Sequence, residues 1–278
     1  MKDIKMLNVL TIALLAGAMI FAGCGPKGDD TPDKGGAATK PSCCGTCDKS
    51  KTPTTGPAAV KDPTTGGGTT VKTPAKVKKV VLAIELPKAM FKGTPVPMNE
   101  PNIAPGRKKG EERPEIKVPE GTVNLALNKP VTSNESLPVV GDLEMVTDGD
   151  KSGEDGHNVD IGFGKKWVQI DLEAVCNIYG VSVWHYHGQA RAYRDVIVEV
   201  ADDEDFTQNV QIVYNSDHDN SYGKGIGENM GYVETNEGKY IYCPKGTKGR
   251  YVRLHSQGNT SNDQNHYIEV EVYGTPAK

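Results

Sequence analysis

Five side chains in the C-terminal half of the sequence have the chemistry of a recognition surface. The first four are crowded into residues 185–194, and the fifth lies in the amide-rich stretch 257–266. Together they can donate hydrogen bonds, stack on a ring and carry charge, which suits binding more than covalent chemistry. For any one of them a structural role in the core or at a strand end explains its presence equally well, but the cluster as a whole favours binding. The five are His185, His187, Arg191, Tyr193 and Asn259.

The segments on either side of the first loop must hold it in place. Val181 and Val183 alternate with polar or aromatic neighbours before the loop, and valines recur at every second position over 196–200 after it. A period of two with β-branched residues is typical of half-buried β-strands. We therefore predict a hairpin of two strands that carries the polar loop at its tip.

The same alternation recurs through the last 150 residues, where turn-rich loops separate short apolar segments and no long 3.6-residue period occurs. This pattern predicts an all-β fold, an antiparallel β-sandwich of the jelly-roll kind, over residues 122–275. The predicted strands are Trp167–Leu172, Ile178–Tyr186, Asp195–Ala201, Val210–Tyr214, Tyr251–Ser256 and His266–Tyr273.

The alternation of side chains along these strands predicts which residues face the core. The inward positions are Val168, Ile170, Leu172, Ile178, Val181, Val183, Val196, Val198, Val200, Val252, Leu254, Ile268, Val270 and Val272. The opposite parity would turn Trp184 and Tyr186 away from the core, where large aromatic rings need a cover or a ligand. The apolar run at 80–86 is our candidate cover.

Catalytic signatures are missing from the sequence: it has no serine elbow, no HExxH motif and no activated cysteine. We therefore predict no catalytic residues and a protein that is not an enzyme. A zinc site built from His185, His187 and His266 is a weaker alternative, because the third ligand is only a guess and zinc ligand geometry is specific.

The cysteines divide into two groups. Cys176 and Cys243 are the only pair within the predicted sandwich, and in an oxidising compartment such a pair often forms a disulfide, which we predict here. Cys43, Cys44 and Cys47 lack the second ligand pair of a zinc site, so adventitious disulfides are favoured over metal binding.

The N-terminus has the features of a targeting signal. Lys2 and Lys5 precede an apolar run at 7–21, which is too short to span a bilayer, and small residues lead to Cys24. This arrangement resembles a bacterial lipoprotein signal peptide at residues 1–23, with lipidation at Cys24; an ordinary secretory signal is the alternative. The expected location is extracytoplasmic, lipid-anchored to the cell envelope, with the outer membrane favoured because Gly25 follows the cysteine.

Two further segments separate this signal from the sandwich. Residues 24–75 are rich in Gly, Pro, Thr and Lys and cannot bury enough apolar surface to offset their ordering entropy, so we predict a disordered tether. Residues 76–121 carry repeated prolines that prevent long regular structure, and we predict an extended proline-rich arm packed on the sandwich.

Composition limits the possible partners. With 278 residues, 32 glycines, 18 prolines and a mean hydropathy of -0.49, the chain is too polar for two full cores. The net charge of -4 provides no basic surface for nucleic acid, so DNA and RNA are not expected partners. Contact with a membrane is expected only through the lipid anchor.

Five short motifs occur in the order seen in the discoidin family, also called the coagulation-factor type C domain family. The resemblance covers about the last 150 residues and implies a galactose-binding-like jelly roll, in agreement with the strand periodicity. The motifs are Asn124-Leu125-Ala126 with Lys129-Pro130-Val131, Thr147-Asp148-Gly149-Asp150, Trp167-Val168-Gln169-Ile170-Asp171-Leu172, Arg250-Tyr251-Val252-Arg253-Leu254 and Glu269-Val270-Glu271-Val272.

The resemblance implies a structural calcium ion. Fucolectin-like members of this family bind one Ca²⁺ between the corresponding turn and closing strand, which would use carboxylates of Asp148, Asp150 and Glu269 and backbone oxygens of Met145 and Ile268. The alternative is that Asp148 and Asp150 only cap a turn.

The resemblance also implies carbohydrate binding, because fucolectin-like modules hold sugar hydroxyls with a histidine and two arginines. Arg191 and its neighbours lie near the equivalent loop, although their spacing does not reproduce that pattern. We expect a non-catalytic carbohydrate-binding module, with a carbohydrate or glycoconjugate as its partner. The alternative is a protein-interaction or scaffold domain that has kept the fold without a sugar site.

Overall fold

A computed structural model of the chain describes residues 77–91, 100–108 and 110–277. The predicted signal peptide, the lipidation site Cys24 and the tether up to residue 75 lie outside the described residues. Within the described residues, no helix has both the length and the apolar character needed to cross a bilayer. The helical structure found there is a single 3₁₀ turn at Leu143–Thr147.

Ten β-strands form the regular structure of the described chain, apart from that 3₁₀ turn. Two belong to the arm and pair only with each other, β1 (Lys79–Val81) and β2 (Lys117–Pro119). The other eight are β3 (Val123–Asn124), β4 (Val131–Ser133), β5 (Val159–Phe163), β6 (Lys166–His185), β7 (Ile197–Ala201), β8 (Gln211–Asn215), β9 (Lys239–Ser256) and β10 (Gln264–Pro276).

These eight strands pair antiparallel in the order β3-β10-β6-β9-β7-β8, with β4 added beside β6 and β5 beside β10. The long strand β6 changes partner along its length: residues 168–170 lie between β4 and β9, whereas residues 176–185 lie against β10. Because β6 pairs with β4 near its start and with β10 near its end, it links the two groups of strands into a jelly-roll sandwich. The predicted all-β class is confirmed.

The hairpin prediction for residues 181–203 is wrong. β6 and β7 are not hydrogen-bonded to each other, because β9 lies between them and pairs with both. Local periodicity identified both strands, but their pairing was decided by a segment about 50 residues further along the chain. The loop at 187–195 therefore crosses over the end of β9 rather than forming the tip of a hairpin.

The predicted core parity holds at all but one of the nominated positions, which form one buried cluster. The exception is Ile268, which packs on the other face of the sheet with Trp184 and Tyr186. A register shift between Tyr267 and Glu269 causes the change, since the extra residue of a β-bulge reverses the side-chain alternation. Tyr267 takes the core position instead.

The arm covers the outer aromatic face, as predicted. Ile84 packs against the cluster of Trp184, Tyr186 and Ile268, and Trp184 is fully buried. Asn236 accepts a hydrogen bond from the Trp184 indole through its carbonyl oxygen (3.1 Å) and donates through its side chain to Pro87 O (2.8 Å). The arm is thus bound to the sandwich by apolar and polar contacts together.

The predicted disulfide is absent, because Cys176 and Cys243 are both buried free thiols. They lie on the neighbouring strands β6 and β9, but Cys176 is opposite Gly249, whereas Tyr242 next to Cys243 is opposite Gly180. An offset of roughly three residues along a strand corresponds to about 10 Å, which is beyond the reach of a disulfide.

Candidate functional site

A polar cleft of about 370 Å³ opens where β6 ends and β10 begins. β5 and the segment before it form one wall, the loop after β6 forms the second, and the loop between β9 and β10 forms the third. The lining residues are Val140, Asp155, Gly156, Asn158, Asp160, Tyr186, Gln189, Arg191, Ser261, Asn262 and His266.

Arg191 provides the positive charge of the cleft. Its guanidinium carbon lies 4.5 Å from the centre of the Tyr186 ring, and its Nε has no hydrogen-bond partner. The Tyr186 hydroxyl donates to Asp155 Oδ1 at 2.6 Å, which fixes the ring under the guanidinium. Burial, together with this carboxylate, raises the pKa of Tyr186. The plane of Arg191 is therefore held in place while a donor stays unpaired.

His266 and Asp160 form the opposite wall. His266 Nδ1 is 2.9 Å from the Tyr193 hydroxyl, and its Nε2 lies 3.6 Å from Asp160 Oδ2. Burial and the nearby charge of Arg191 lower the pKa of His266 to about 4, so the ring is neutral at pH 7. Burial raises the pKa of Asp160, whose Oδ1 accepts the Gly162 N–H at 2.8 Å.

Only one of the five residues predicted as ligand contacts lines this cleft, namely Arg191. His185, His187 and Asn259 are completely buried, and Tyr193 is 2% exposed. This corrects the sequence prediction: the four side chains lie in the interior, where each makes at least one hydrogen bond, and they support the cleft from below, whereas Arg191 lines the cleft although only 4% of the residue is exposed.

His185 and Tyr193 support the Arg191 loop. Their rings stack at 4.2 Å with an interplanar angle of 18°, and His185 Nδ1 lies 2.7 Å from Glu234 Oε1. Glu234 in turn donates its backbone N–H to Arg191 O at 2.8 Å. A fully buried histidine–carboxylate pair thus fixes the backbone that carries Arg191.

His187 and Asn259 fix two neighbouring loops. His187 Nε2 donates to Lys151 O at 3.0 Å, which holds the acidic turn that precedes β5. Asn259 forms a β-bridge with Tyr193 and donates to Gln264 O at 2.6 Å. Both side chains shape the cleft without facing it.

Several cleft residues had no counterpart among the predicted site residues. Asp160 lies in β5, whose Val-Asp-Ile-Gly-Phe alternation is a strand signal that would have placed this carboxylate. Tyr186 and His266 were assigned to strands, and nothing in their spacing indicates that the ends of β6 and β10 meet at one cleft.

One of the predicted calcium residues, Glu269, has a carboxylate that lacks a full set of partners. Glu269 is completely buried, its Oε2 accepts the Gly149 N–H at 3.1 Å, and its Oε1 has no partner. Burial raises the pKa of Glu269 to about 9, as expected for a carboxyl group without a cation. A hard cation would suit this orphaned oxygen, so Glu269 fits the predicted ion.

The carboxylates of Asp148 and Asp150 accept hydrogen bonds from backbone N–H groups of their own turn. Asp148 Oδ1 accepts the Asp150 N–H at 2.8 Å, and Asp150 Oδ1 accepts the Ser152 N–H at 2.9 Å. Among the described residues, one group of three His, Cys, Asp or Glu side chains brings its ligand atoms within 4.8 Å, namely Asp195, His218 and Asp219. Neither the three histidines of the zinc alternative nor the three predicted calcium carboxylates, Asp148, Asp150 and Glu269, form such a group in that part of the chain.

The sandwich and its cleft define a jelly-roll module with a polar recess formed by loops. The chain belongs to the F5/8 type C domain family, whose family model matches residues 130–270. The resemblance to the discoidin family is therefore confirmed. No curated protein matches the chain.

Solved structures similar to the chain include three sugar-binding modules. Chitosan-binding module 1 of a chitosanase/glucanase from Paenibacillus sp. IK-5 is 20% identical, with a TM-score of 0.39, over 55% of this chain and 99% of that module. A fucose binding module of Streptococcus pneumoniae is 20% identical, with a TM-score of 0.38, over 54% and 97%. The CBM32 of AlyQ, solved with 4,5-unsaturated mannuronic acid, is 21% identical, with a TM-score of 0.37, over 51% and 92%.

Proposed function

We propose that this protein is a non-catalytic carbohydrate-binding module and that the cleft around Arg191 is its sugar site. The observation that carries the proposal is the position of Arg191, which is held over Tyr186 and lines a cleft together with Asp160, whose Oδ2 accepts no hydrogen bond from another described residue. Membership of a family that includes the fucolectin-like carbohydrate-binding modules is consistent with it.

The lining groups match the chemistry of a pyranose, which has a rim of hydroxyl groups and an apolar face. The guanidinium of Arg191 and the amides of Gln189 and Asn262 can donate to hydroxyl oxygens, and Asp160 can accept from a hydroxyl. Val140, which is 46% exposed, offers an apolar contact beside them. A few convergent polar groups in an open recess are typical of a small-molecule site.

Binding of a glycan array by the full chain, followed by calorimetry on the best glycan, tests this function. Arg191→Lys keeps the charge but loses the planar donor set, so we expect affinity to fall by at least about tenfold with an unchanged melting temperature. Arg250→Lys is the matched control, since Arg250 pairs with Asp171 outside the cleft and its replacement should leave the affinity unchanged.

Two results would contradict the proposal. One is an Arg191→Lys protein that binds the best glycan as tightly as the wild type does. The other is a folded wild type that binds no glycan but captures a protein partner in a manner that depends on Arg191, which would favour the interaction-domain alternative.

We further propose that the module is displayed outside the cytoplasm by a lipid on Cys24, with the outer membrane favoured. The support is the sequence pattern of residues 1–24. Incorporation of a labelled fatty acid that is lost in Cys24→Ala would support the anchor, whereas unchanged labelling of that variant would exclude Cys24 as its site.

A bound Ca²⁺ is also proposed, with Glu269, Asp148 and Asp150 as side-chain ligands and the carbonyls of Met145 and Ile268 as backbone ligands. The unpaired Glu269 Oε1 is the support for this assignment. The ion would join the turn before β5 to β10 and would play a structural part.

A further inference from the structure

More negatively than positively charged side chains line the cleft. Asp155 and Asp160 contribute two carboxylates, whereas Arg191 is the only permanently charged cation among the lining residues. Arg191 is also engaged with the face of the Tyr186 ring. A ligand that enters this cleft therefore meets an excess of negative charge.

Of the two cleft carboxylates, Asp160 has fewer groups that stabilise its negative charge. Its side chain is buried, with 4% of the residue exposed, and Oδ2 makes no hydrogen bond to any other described residue. Its nearest basic neighbour is the His266 ring, with Nε2 at 3.6 Å, which is beyond hydrogen-bond distance. A buried carboxylate without a cation is costly, and a charged donor stabilises it more than a neutral hydroxyl does.

Asp155 lies on the same rim but has a partner. It accepts the Tyr186 hydroxyl at 2.6 Å and is exposed to solvent. Its charge adds to the field in the cleft without supplying the main contact. An acidic sugar would have to place its carboxylate beside both aspartates, which like-charge repulsion disfavours.

From this arrangement we propose that the cleft selects glycans with a free amine, such as hexosamine units, and that Asp160 Oδ2 accepts the hydrogen bond of the ammonium group. The proposal rests on the proposed carbohydrate-binding function and specifies its ligand class. N-acetylation removes the charge of the amine, so an N-acetylated glycan should bind less tightly, and uronic acids should bind least.

The test compares three oligosaccharides of equal length with the full chain by calorimetry at neutral pH. They are a β-1,4-linked glucosamine oligomer, its fully N-acetylated counterpart and an oligomannuronate. For the wild type we expect the glucosamine oligomer to bind about tenfold more tightly than the acetylated one, as a charge-assisted hydrogen bond allows. Added salt should reduce this preference, because it rests on charge.

Asp160→Asn is the informative variant. Asparagine keeps an oxygen for the Gly162 N–H, so the fold should be retained, while the negative charge is removed. We expect the tenfold preference for the amine to disappear, because the affinity for the glucosamine oligomer should fall by about tenfold more than the affinity for the acetylated oligomer. Asp142→Asn is the control, since Asp142 is exposed and makes no side-chain cap.

The outcomes separate the two proposals. Equal affinity of the wild type for the amine and the acetylated oligomer, or tighter binding of the oligomannuronate, would overturn the amine selectivity while leaving carbohydrate binding intact. A preference that survives in Asp160→Asn would overturn the role of Asp160. Absence of binding to all three, and to a glycan array, would overturn the carbohydrate function itself.

Discussion

At the residue scale, the chemistry of the cleft depends on which polar groups already have partners. His185 is paired with Glu234 and His187 donates to a backbone carbonyl, and both side chains are completely buried away from the cleft. Arg191 Nε and Asp160 Oδ2 are close to the cleft and have no hydrogen-bond partner among the described residues. Of the residues that line the cleft, Arg191 and Asp160 are therefore the ones that we propose a ligand contacts.

Glu269 leads to a prediction at the same scale. Because a cation would compensate its buried and unpaired oxygen, adding Ca²⁺ to metal-free protein should raise the melting temperature of the wild type by several degrees. Glu269→Gln removes the charge that the ion needs, so this variant should not respond. Thermal unfolding with and without Ca²⁺ measures both effects.

Glu144→Gln provides the control for this experiment, because Glu144 is an exposed acid in the neighbouring 3₁₀ turn and should leave the calcium response intact. A wild type whose melting temperature is unaffected by Ca²⁺ would contradict the calcium assignment.

At the element scale, the ladder between β6 and β9 is the backbone of the sandwich and extends over most of both strands. A bidentate ion pair reinforces it beside the register shift that follows Asp171, where Arg250 Nε and one terminal nitrogen each lie 2.7 Å from an oxygen of Asp171. The Arg250 hydrogen bonds lower the pKa of Asp171. The pair joins the two motifs in which these residues occur, which are far apart in sequence.

Asp171→Asn should therefore destabilise the fold in a pH-dependent way. A carboxylate whose folded pKa is lowered contributes stability above its unfolded pKa of about 4 and loses it as the pH falls through the folded value. At neutral pH we expect a loss of about 1 kcal/mol, a modest value because Arg250 is partly solvated. In strong acid the variant and the wild type should unfold at the same urea concentration.

Urea unfolding at both pH values measures this difference, with Asp142→Asn as an exposed aspartate that has no such pair. A stability difference that is as large in strong acid as at neutral pH would indicate lost packing rather than a lost ion pair.

At the scale of the whole molecule, the arm completes the sandwich. It covers the outer aromatic face through Ile84, and its second part is joined to the loop after β6, where Arg194 lies 2.8 Å from Glu100. Asn102 extends this contact by donating to Asn229 O at 3.0 Å. The proline-rich segment is thus part of the folded unit rather than a spacer.

Ile84→Ala should expose the Trp184 face. We expect a loss of about 1–2 kcal/mol, the range for truncating a partly buried isoleucine, and a red shift of tryptophan fluorescence, since Trp184 is one of two tryptophans in the chain. Val77→Ala is the control, because Val77 is 64% exposed. Unchanged stability and emission in Ile84→Ala would mean that the arm does not protect this face.

The sequence by itself determined the class of the protein. Alternation of valines and isoleucines with a period of two identified most of the long strands and nearly all of the core, because each strand must bury one face whatever its partners are. Five motifs in order identified the family, and the arm was correctly assigned as the cover of Trp184. These features depend on local patterns that can be read without knowing the pairing of the strands.

Only the tertiary structure decided the strand pairing and the contents of the cleft. β9 entered between β6 and β7, and the bulge before Glu269 turned Ile268 outward, because hydrogen bonds between distant segments set the register. The same long-range contacts buried His185 and Tyr193 and brought Asp160 and His266 next to Arg191. Residue type indicates which side chains can bind a ligand, but packing decides which of them are already satisfied within the protein.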